Sequence, residues 1–296
     1  MQVIHFGDIH IWDLKIAWTD LFYLKRWLGG ANLLLNRRKK FPPAYGEAVV
    51  AEILRQEADL VVFSGDMTTT SLRSEFTRCA ERFAPLREKW GERFFVIPGN
   101  HDRYTPRSVQ AGLYEAAFPY GTVDPETRLR TLELDPDWVV VGFDCSEPFA
   151  VLSNGLFTER LADALEACLE QQRNAGKNII LTGHFPYAYP PGIIPRTHHV
   201  LIKAERLEAL VATYKPVVYL HGHKHIRWLM NPPSTVHTAC INCGPAGMKS
   251  EHPAQRAGFV HLTLSDQGKL ERVFAVQREA GNDEGFEEQC VWEAGA

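Results

Sequence analysis

Long apolar runs are missing from this sequence. No stretch reaches the ~18 consecutive apolar residues that a membrane-spanning helix needs, so a multi-span membrane protein is excluded. A secretory signal is not expected either, because the apolar residues from Val3 run directly into Asp8 and His10. A surplus of one charge is also absent. Lys and Arg total 32 against 36 Asp and Glu, a formal net charge of −4. That balance disfavours a general nucleic-acid binder, whose surface is usually basic. Cysteine is sparse and scattered, at 79, 145, 168, 240, 243 and 290, so reduced thiols are expected rather than a disulfide framework. Cys240 and Cys243 have the spacing of half a zinc site, but no second pair accompanies them, and a strand-end role is expected. Repeats and low-complexity linkers are lacking too. The expectation is one domain over residues 1–276, in a cytoplasmic protein that could touch a membrane peripherally.

What is present is ordinary globular composition, 45% apolar and 23% charged, with a clear rhythm. Short β-branched runs alternate with amphipathic stretches, which predicts an α/β fold. Strands are expected at Val3–Phe6, Leu60–Ser64, Phe94–Ile97, Leu129–Leu134, Val139–Phe143, Ile179–Thr182 and Val217–Leu220. Three more are expected near Val236–Ile241, Phe259–Leu264 and Arg272–Val276. Leu72, Phe76, Cys79 and Phe83 recur at helical spacing, as do Leu161, Leu165 and Cys168, with Gly176 placed to end the second helix. Asp135-Pro136-Asp137 reads as a turn. Residues 277–296 hold six acids and little apolar periodicity, which predicts an acidic C-terminal tail.

Polar side chains gather where strands end. The first strand leads to Asp8-Ile9-His10, the second to Gly65-Asp66 and the third to Gly99-Asn100-His101-Asp102. Later strands lead to Gly183-His184 and Gly222-His223-Lys224-His225. Loops beyond the carboxyl ends of strands in an open α/β sheet meet in one crevice. Any one of these motifs could be structural, as a turn with a capping Asp or a surface His pair. Together they collect carboxylate, amide and imidazole ligands suited to Mn, Fe or Zn, too many for one ion. His5, His237, His261 and His221 lie in strand-like runs, where packing is the expectation.

This order of motifs resembles the calcineurin-like metallophosphoesterases, and the likeness spans Asp8 to His225. It implies a four-layer α/β/β/α sandwich of two mixed sheets flanked by helices, with two metal ions at the joint edge. By that resemblance Asp8, His10 and His225 would hold one ion, Asn100, His184 and His223 the other, and Asp66 would bridge them. The implied reaction is hydrolysis of a phosphodiester or pyrophosphate bond by a hydroxide that bridges the two ions. His101 would protonate the leaving oxygen, and Asp102 would orient its imidazole, or else only fix the loop. Arg103, Tyr104, His198 and His199 are candidate substrate contacts.

Residues 15–40 interrupt this pattern. Seven basic residues, Lys15, Lys25, Arg26, Arg37, Arg38, Lys39 and Lys40, face the single acid Asp20, with Trp18, Trp27 and Leu33–Leu35 interleaved. Such an insert is either a cap packed on the domain or a surface for an anionic membrane or lipid-like substrate. The second use would suit a UDP-2,3-diacylglucosamine pyrophosphatase of lipid A synthesis, some of which are similar metallophosphoesterases. A nuclease is disfavoured by the net charge. A non-catalytic binding scaffold of the same fold is the alternative from another class.

Overall fold

The computed structural model describes residues 1–13, 37–149, 152–282 and 285–295. Most of the basic insert therefore lies outside the described residues, and only Arg37–Lys40 of it are seen.

Two six-stranded mixed sheets stack face to face. The first has the order β14-β13-β12-β1-β2-β3, made of β1 (Gln2–Phe6), β2 (Leu60–Phe63), β3 (Phe94–Val96), β12 (Gly258–Leu264), β13 (Leu270–Arg278) and β14 (Phe286–Glu293). The second has the order β10-β11-β9-β7-β5-β4, from β4 (Leu129–Asp135), β5 (Trp138–Phe143), β7 (Asn178–Thr182), β9 (Val218–His221), β10 (Arg227–Met230) and β11 (Ala239–Cys243). A small parallel pair, β6 (Gly155–Leu156) and β8 (Leu201–Ile202), lies beside them. In the first sheet β1, β2 and β3 run parallel, and β12 joins β1 antiparallel.

The period-two alternation of the strands sorts their side chains between two cores. Val3, Leu60, Val62, Val140, Ile180, Val218 and Leu220 fill the space between the sheets. Ile4, Phe6, Val61 and Phe63 point the other way, onto α1 (Pro43–Arg55) and α2 (Arg73–Trp90), where Val49, Ile53, Phe76 and Phe83 meet them. Val139, Val141, Ile179 and Leu181 likewise bury against Leu161, Leu165 and Leu169 of α3 (Glu159–Asn174) and Leu207, Leu210 and Val211 of α4 (Ala204–Tyr214). The result is the expected α/β/β/α sandwich. Thr158 caps α3 by accepting the Leu161 N–H at 3.1 Å.

Two local expectations change. The last strand of the second sheet begins at Ala239 rather than Val236, because Pro233–Thr235 form a 3-10 turn first. The acidic segment from Gln277 is in part sheet: β13 runs to Arg278 and β14 pairs antiparallel with it. Six of the eight β14 side chains are exposed, so this edge strand leaves no apolar period in the sequence. Cys240 and Cys243 face opposite sides of β11, Cys240 in the outer core and Cys243 between the sheets, and all six thiols are free. Among the described residues no helix is long and apolar enough to cross a membrane.

Candidate metal centre

The parallel strands β1, β2 and β3 and their counterparts β7 and β9 end at one edge of the sandwich, so the loops that follow them converge. Their backbone is bent tightly there. Asp8, His10, Asp66, His223 and His225 all adopt positive φ, which turns each side chain inward immediately after its strand. Two glycines permit the close approach. A Cβ at Gly99 would lie 2.3 Å from Asp66 Oδ1, and one at Gly222 would lie 2.6 Å from Asp8 Oδ2.

Two clusters of ligand atoms result, sharing Asp66. Asp8, His10, Asp66 and His225 form one, and Asp66, His184 and His223 the other, each with its atoms within 4.8 Å of one another. His225 Nε2 lies 2.8 Å from His10 Nε2 and 3.5 Å from Asp8 Oδ1. His184 Nε2 lies 3.3 Å from Asp66 Oδ2 and 3.2 Å from Asn100 Oδ1, which is also 3.0 Å from His223 Nδ1. Asn100 thus joins the second cluster. All seven residues expected as ligands meet at this edge.

Outer hydrogen bonds orient the imidazoles. His10 Nδ1 donates to Thr68 O at 3.3 Å and His184 Nδ1 to Ser64 O at 2.8 Å, which leaves each Nε2 aimed into the centre. The His223 N–H donates to Asp8 Oδ2 at 2.9 Å and ties the loops after β1 and β9 together.

The electrostatics fit cations. Burial pushes the Asp66 carboxyl up, yet His184 and His101 outweigh it and hold Asp66 well below the usual range. Burial disfavours charge on His184, but the Asp66 carboxylate raises it to about 9. Burial lowers His10 and His223 far below 6.5, which keeps them neutral, the state in which imidazole ligates. Converging carboxylates, imidazole nitrogens and an amide oxygen form a donor set suited to divalent cations.

His101 lies beside this centre, its ring 4.9 Å from that of His10 and stacked on Tyr104 at 5.4 Å. Asp102 does not hold the imidazole. Its carboxylate accepts the N–H groups of Asp66, Met67, Thr68 and Gly99 and the Thr68 hydroxyl, and is used up in fixing the loops. The orienter of His101 is a backbone carbonyl: Nδ1 donates to Thr69 O at 2.6 Å. Of the two expected roles for Asp102, the loop-fixing one is what the geometry contains.

Arg103, a candidate substrate contact, is buried in ion pairs with Asp144 at 3.1 Å and Glu115 at 2.5 Å. His199 is half-buried with its ring 5.9 Å from that of His223, whereas His198 is exposed. One residue was not foreseen. Arg37, from the basic run, places NH2 3.0 Å from His101 Nε2 and NH1 3.3 Å from Nδ1. Its signal in the sequence is hidden, because it stands among four consecutive basic residues of which the other three are exposed.

The family model described as calcineurin-like phosphoesterase matches residues 1–227. A curated relative, a probable glycerophosphodiester phosphodiesterase GpdQ of Arcobacter nitrofigilis, is 30% identical over 179 residues, which is 58% of this chain and 58% of the relative. Among solved structures, a dimetal phosphatase from Danio rerio superposes with a TM-score of 0.62 at 14% identity, covering 99% of both chains. GAP50, the anchor in the inner membrane complex of Plasmodium, superposes with a TM-score of 0.52 at 13% identity, covering 99% of this chain and 89% of that one. These structural likenesses show a shared fold.

Proposed function

The chain belongs to the calcineurin-like phosphoesterase family, and from that premise we propose that it is a dinuclear metal-dependent hydrolase of a phosphodiester or pyrophosphate bond. One observation carries the reading: two clusters of inward-facing ligand atoms share the Asp66 carboxylate. Asp8, His10 and His225 would hold one cation, Asn100, His184 and His223 the other, with Asp66 between them. Two such ions supply Lewis acidity toward a phosphoryl oxygen and acidify a bound water to near neutrality.

The chain's own groups do the rest. Thr68 O and Ser64 O fix the His10 and His184 tautomers, so the ligand lone pairs face inward without reorganising. His101 is the proposed proton donor to the leaving oxygen. Thr69 O occupies its Nδ1–H, so the transferable proton is the one at Nε2. Burial first, and Arg37 second, lower this imidazole to about 3, so the negative charge of a bound ester must draw the proton onto it.

The substrate class is tested with a panel of a phosphate monoester, a diester, a cyclic nucleotide and a UDP-linked lipid, each with Mn, Fe or Zn. Turnover of the diester or the pyrophosphate supports the reading; inertness of the metal-loaded protein to all four removes it. The fold also occurs in an anchor protein, and a scaffold role predicts that purified protein carries no tightly held pair of ions.

A lipid-linked substrate such as a UDP-diacylglucosamine is favoured by one observation. Arg38, Lys39 and Lys40 are exposed, next to a residue that enters the centre. Basic side chains at a membrane surface attract anionic head groups, at about 1 kcal/mol each. Co-sedimentation with anionic vesicles that falls as salt is added supports a peripheral, cytoplasmic-face location; indifference to such vesicles at low salt overturns it.

A further inference from the structure

Arg37 enters the centre from outside all five strand-end loops, and its approach is fixed. Its carbonyl accepts the Phe41 N–H at 2.7 Å, and the Phe41 ring packs on His10 at 4.7 Å and His225 at 5.3 Å. Trp12 Nε1 donates to Phe41 O at 2.9 Å, and the Lys249 N–H donates to Lys40 O at 2.7 Å. Residues 37–41 are therefore clamped against the metal centre, with the partly buried Arg37 turning its guanidinium end into it.

Among the described residues that guanidinium has no anion beside it. It cannot lose its proton, yet no carboxylate among the described residues lies within 4.0 Å of it. The acids whose charge it feels, Asp66, Glu75 and Asp8, are engaged elsewhere. Asp66 accepts from the His101 N–H, Glu75 from the Thr70 and Leu72 N–H groups, and Asp8 from the His223 N–H. A buried cation without a counter-charge is costly. Two divalent ions would outweigh the two carboxylates of the centre and make its surroundings more positive still. The contact it does have, His101 Nε2, is a neutral acceptor.

We propose that Arg37 is a phosphate clamp: it binds the non-bridging oxygens of the substrate phosphoryl group and of the phosphate product, and rests on His101 until they arrive. This rests on the hydrolase reading and adds a binding residue to it. The planar fork of a guanidinium matches two phosphate oxygens. Its move onto phosphate frees His101 Nε2 on the side where a leaving oxygen needs a proton, so the clamp and the donor act in sequence.

The test uses full-length protein loaded with manganese, and inorganic phosphate as the probe. Phosphate affinity is measured by calorimetry, metal content by elemental analysis, and KM and kcat with a soluble diester, for wild type, Arg37→Ala and Arg37→Lys. Arg37→Ala is expected to weaken phosphate binding about tenfold or more and to raise KM, with both ions retained. Arg37→Lys is expected to recover part of the affinity, since the charge returns without the fork. Unchanged phosphate affinity in Arg37→Ala at full metal content overturns the proposal, and so does loss of metal in both variants, which would make Arg37 a structural prop. If wild type binds phosphate through Arg37 but hydrolyses no ester, the clamp stands and the hydrolase reading fails. If wild type hydrolyses the diester and Arg37→Ala binds phosphate equally well, the reverse holds.

Discussion

Asp66 and Asp102 are interlocked: Asp102 Oδ2 accepts the Asp66 N–H at 2.9 Å, while Asp66 Oδ1 accepts the N–H of His101, the residue before Asp102, at 2.8 Å. Each carboxylate thus holds the other's loop. Asp102 in addition takes N–H groups from Met67, Thr68 and Gly99. It is a strut between the loops after β2 and β3.

Asp102→Ala should therefore leave several buried donors unpaired and cost at least about 3 kcal/mol. Bound metal should fall with stability, because Asp66 and Asn100 lose their placement. Residual turnover should keep the wild-type dependence on leaving-group pKa. A changed dependence, with fold and metal intact, would return Asp102 to the role of imidazole orienter.

Asp66 belongs to both ligand clusters, whereas Asn100 belongs to one. Asp66→Ala is expected to abolish turnover and to remove more bound metal than Asn100→Ala, read by elemental analysis of the two purified variants. Near-wild-type turnover in Asp66→Ala with any supplied metal would refute the shared-ligand arrangement.

His101→Ala should harm esters with poor leaving groups most, by about a hundredfold or more, and activated aryl esters far less. The measurement is kcat/KM across a leaving-group series at constant metal content. Uniform losses along that series would take His101 out of the proton-donor role.

Glu75 offers a pH signature away from the metal ligands. Burial pushes its carboxyl up from 4.5 to about 7, against N–H groups of Leu72, Thr70 and Asp13 that pull it down. The folded state then binds the proton more tightly than the unfolded state, so the Glu75 contribution to stability is greatest below pH 4.5 and is lost as pH rises to about 7. Wild type should lose up to about 3 kcal/mol over that window relative to Glu75→Gln, measured as urea unfolding at a series of pH values. Parallel curves for the two proteins would place the Glu75 carboxyl at its ordinary value.

The layers and the strand ends were legible in the residues alone. Val3-Ile4-His5-Phe6 and Leu60-Val61-Val62-Phe63 read as strands because local alternation and β-branching are short-range properties, and the sandwich follows from burying both faces. The residues that meet at the edge were legible for the same reason, since each comes directly after a strand and parallel strands end on one side. Which side chain serves which was settled only when distant loops closed on one another. Asp102 beside His101 suggested a pair, but Asp66, Met67 and Thr68, more than thirty positions away, supply its donors. Arg103 was drawn to Asp144 across the fold, and β14 is held by the backbone edge of β13 rather than by an apolar period of its own. Arg37 looked like its exposed neighbours Arg38, Lys39 and Lys40 until Phe41 packed on His10 and His225 and carried it inward. The difference is one of range. Strand and helix periods are written in neighbouring residues, whereas a buried charge takes whichever partner the closing of distant loops brings within hydrogen-bond reach.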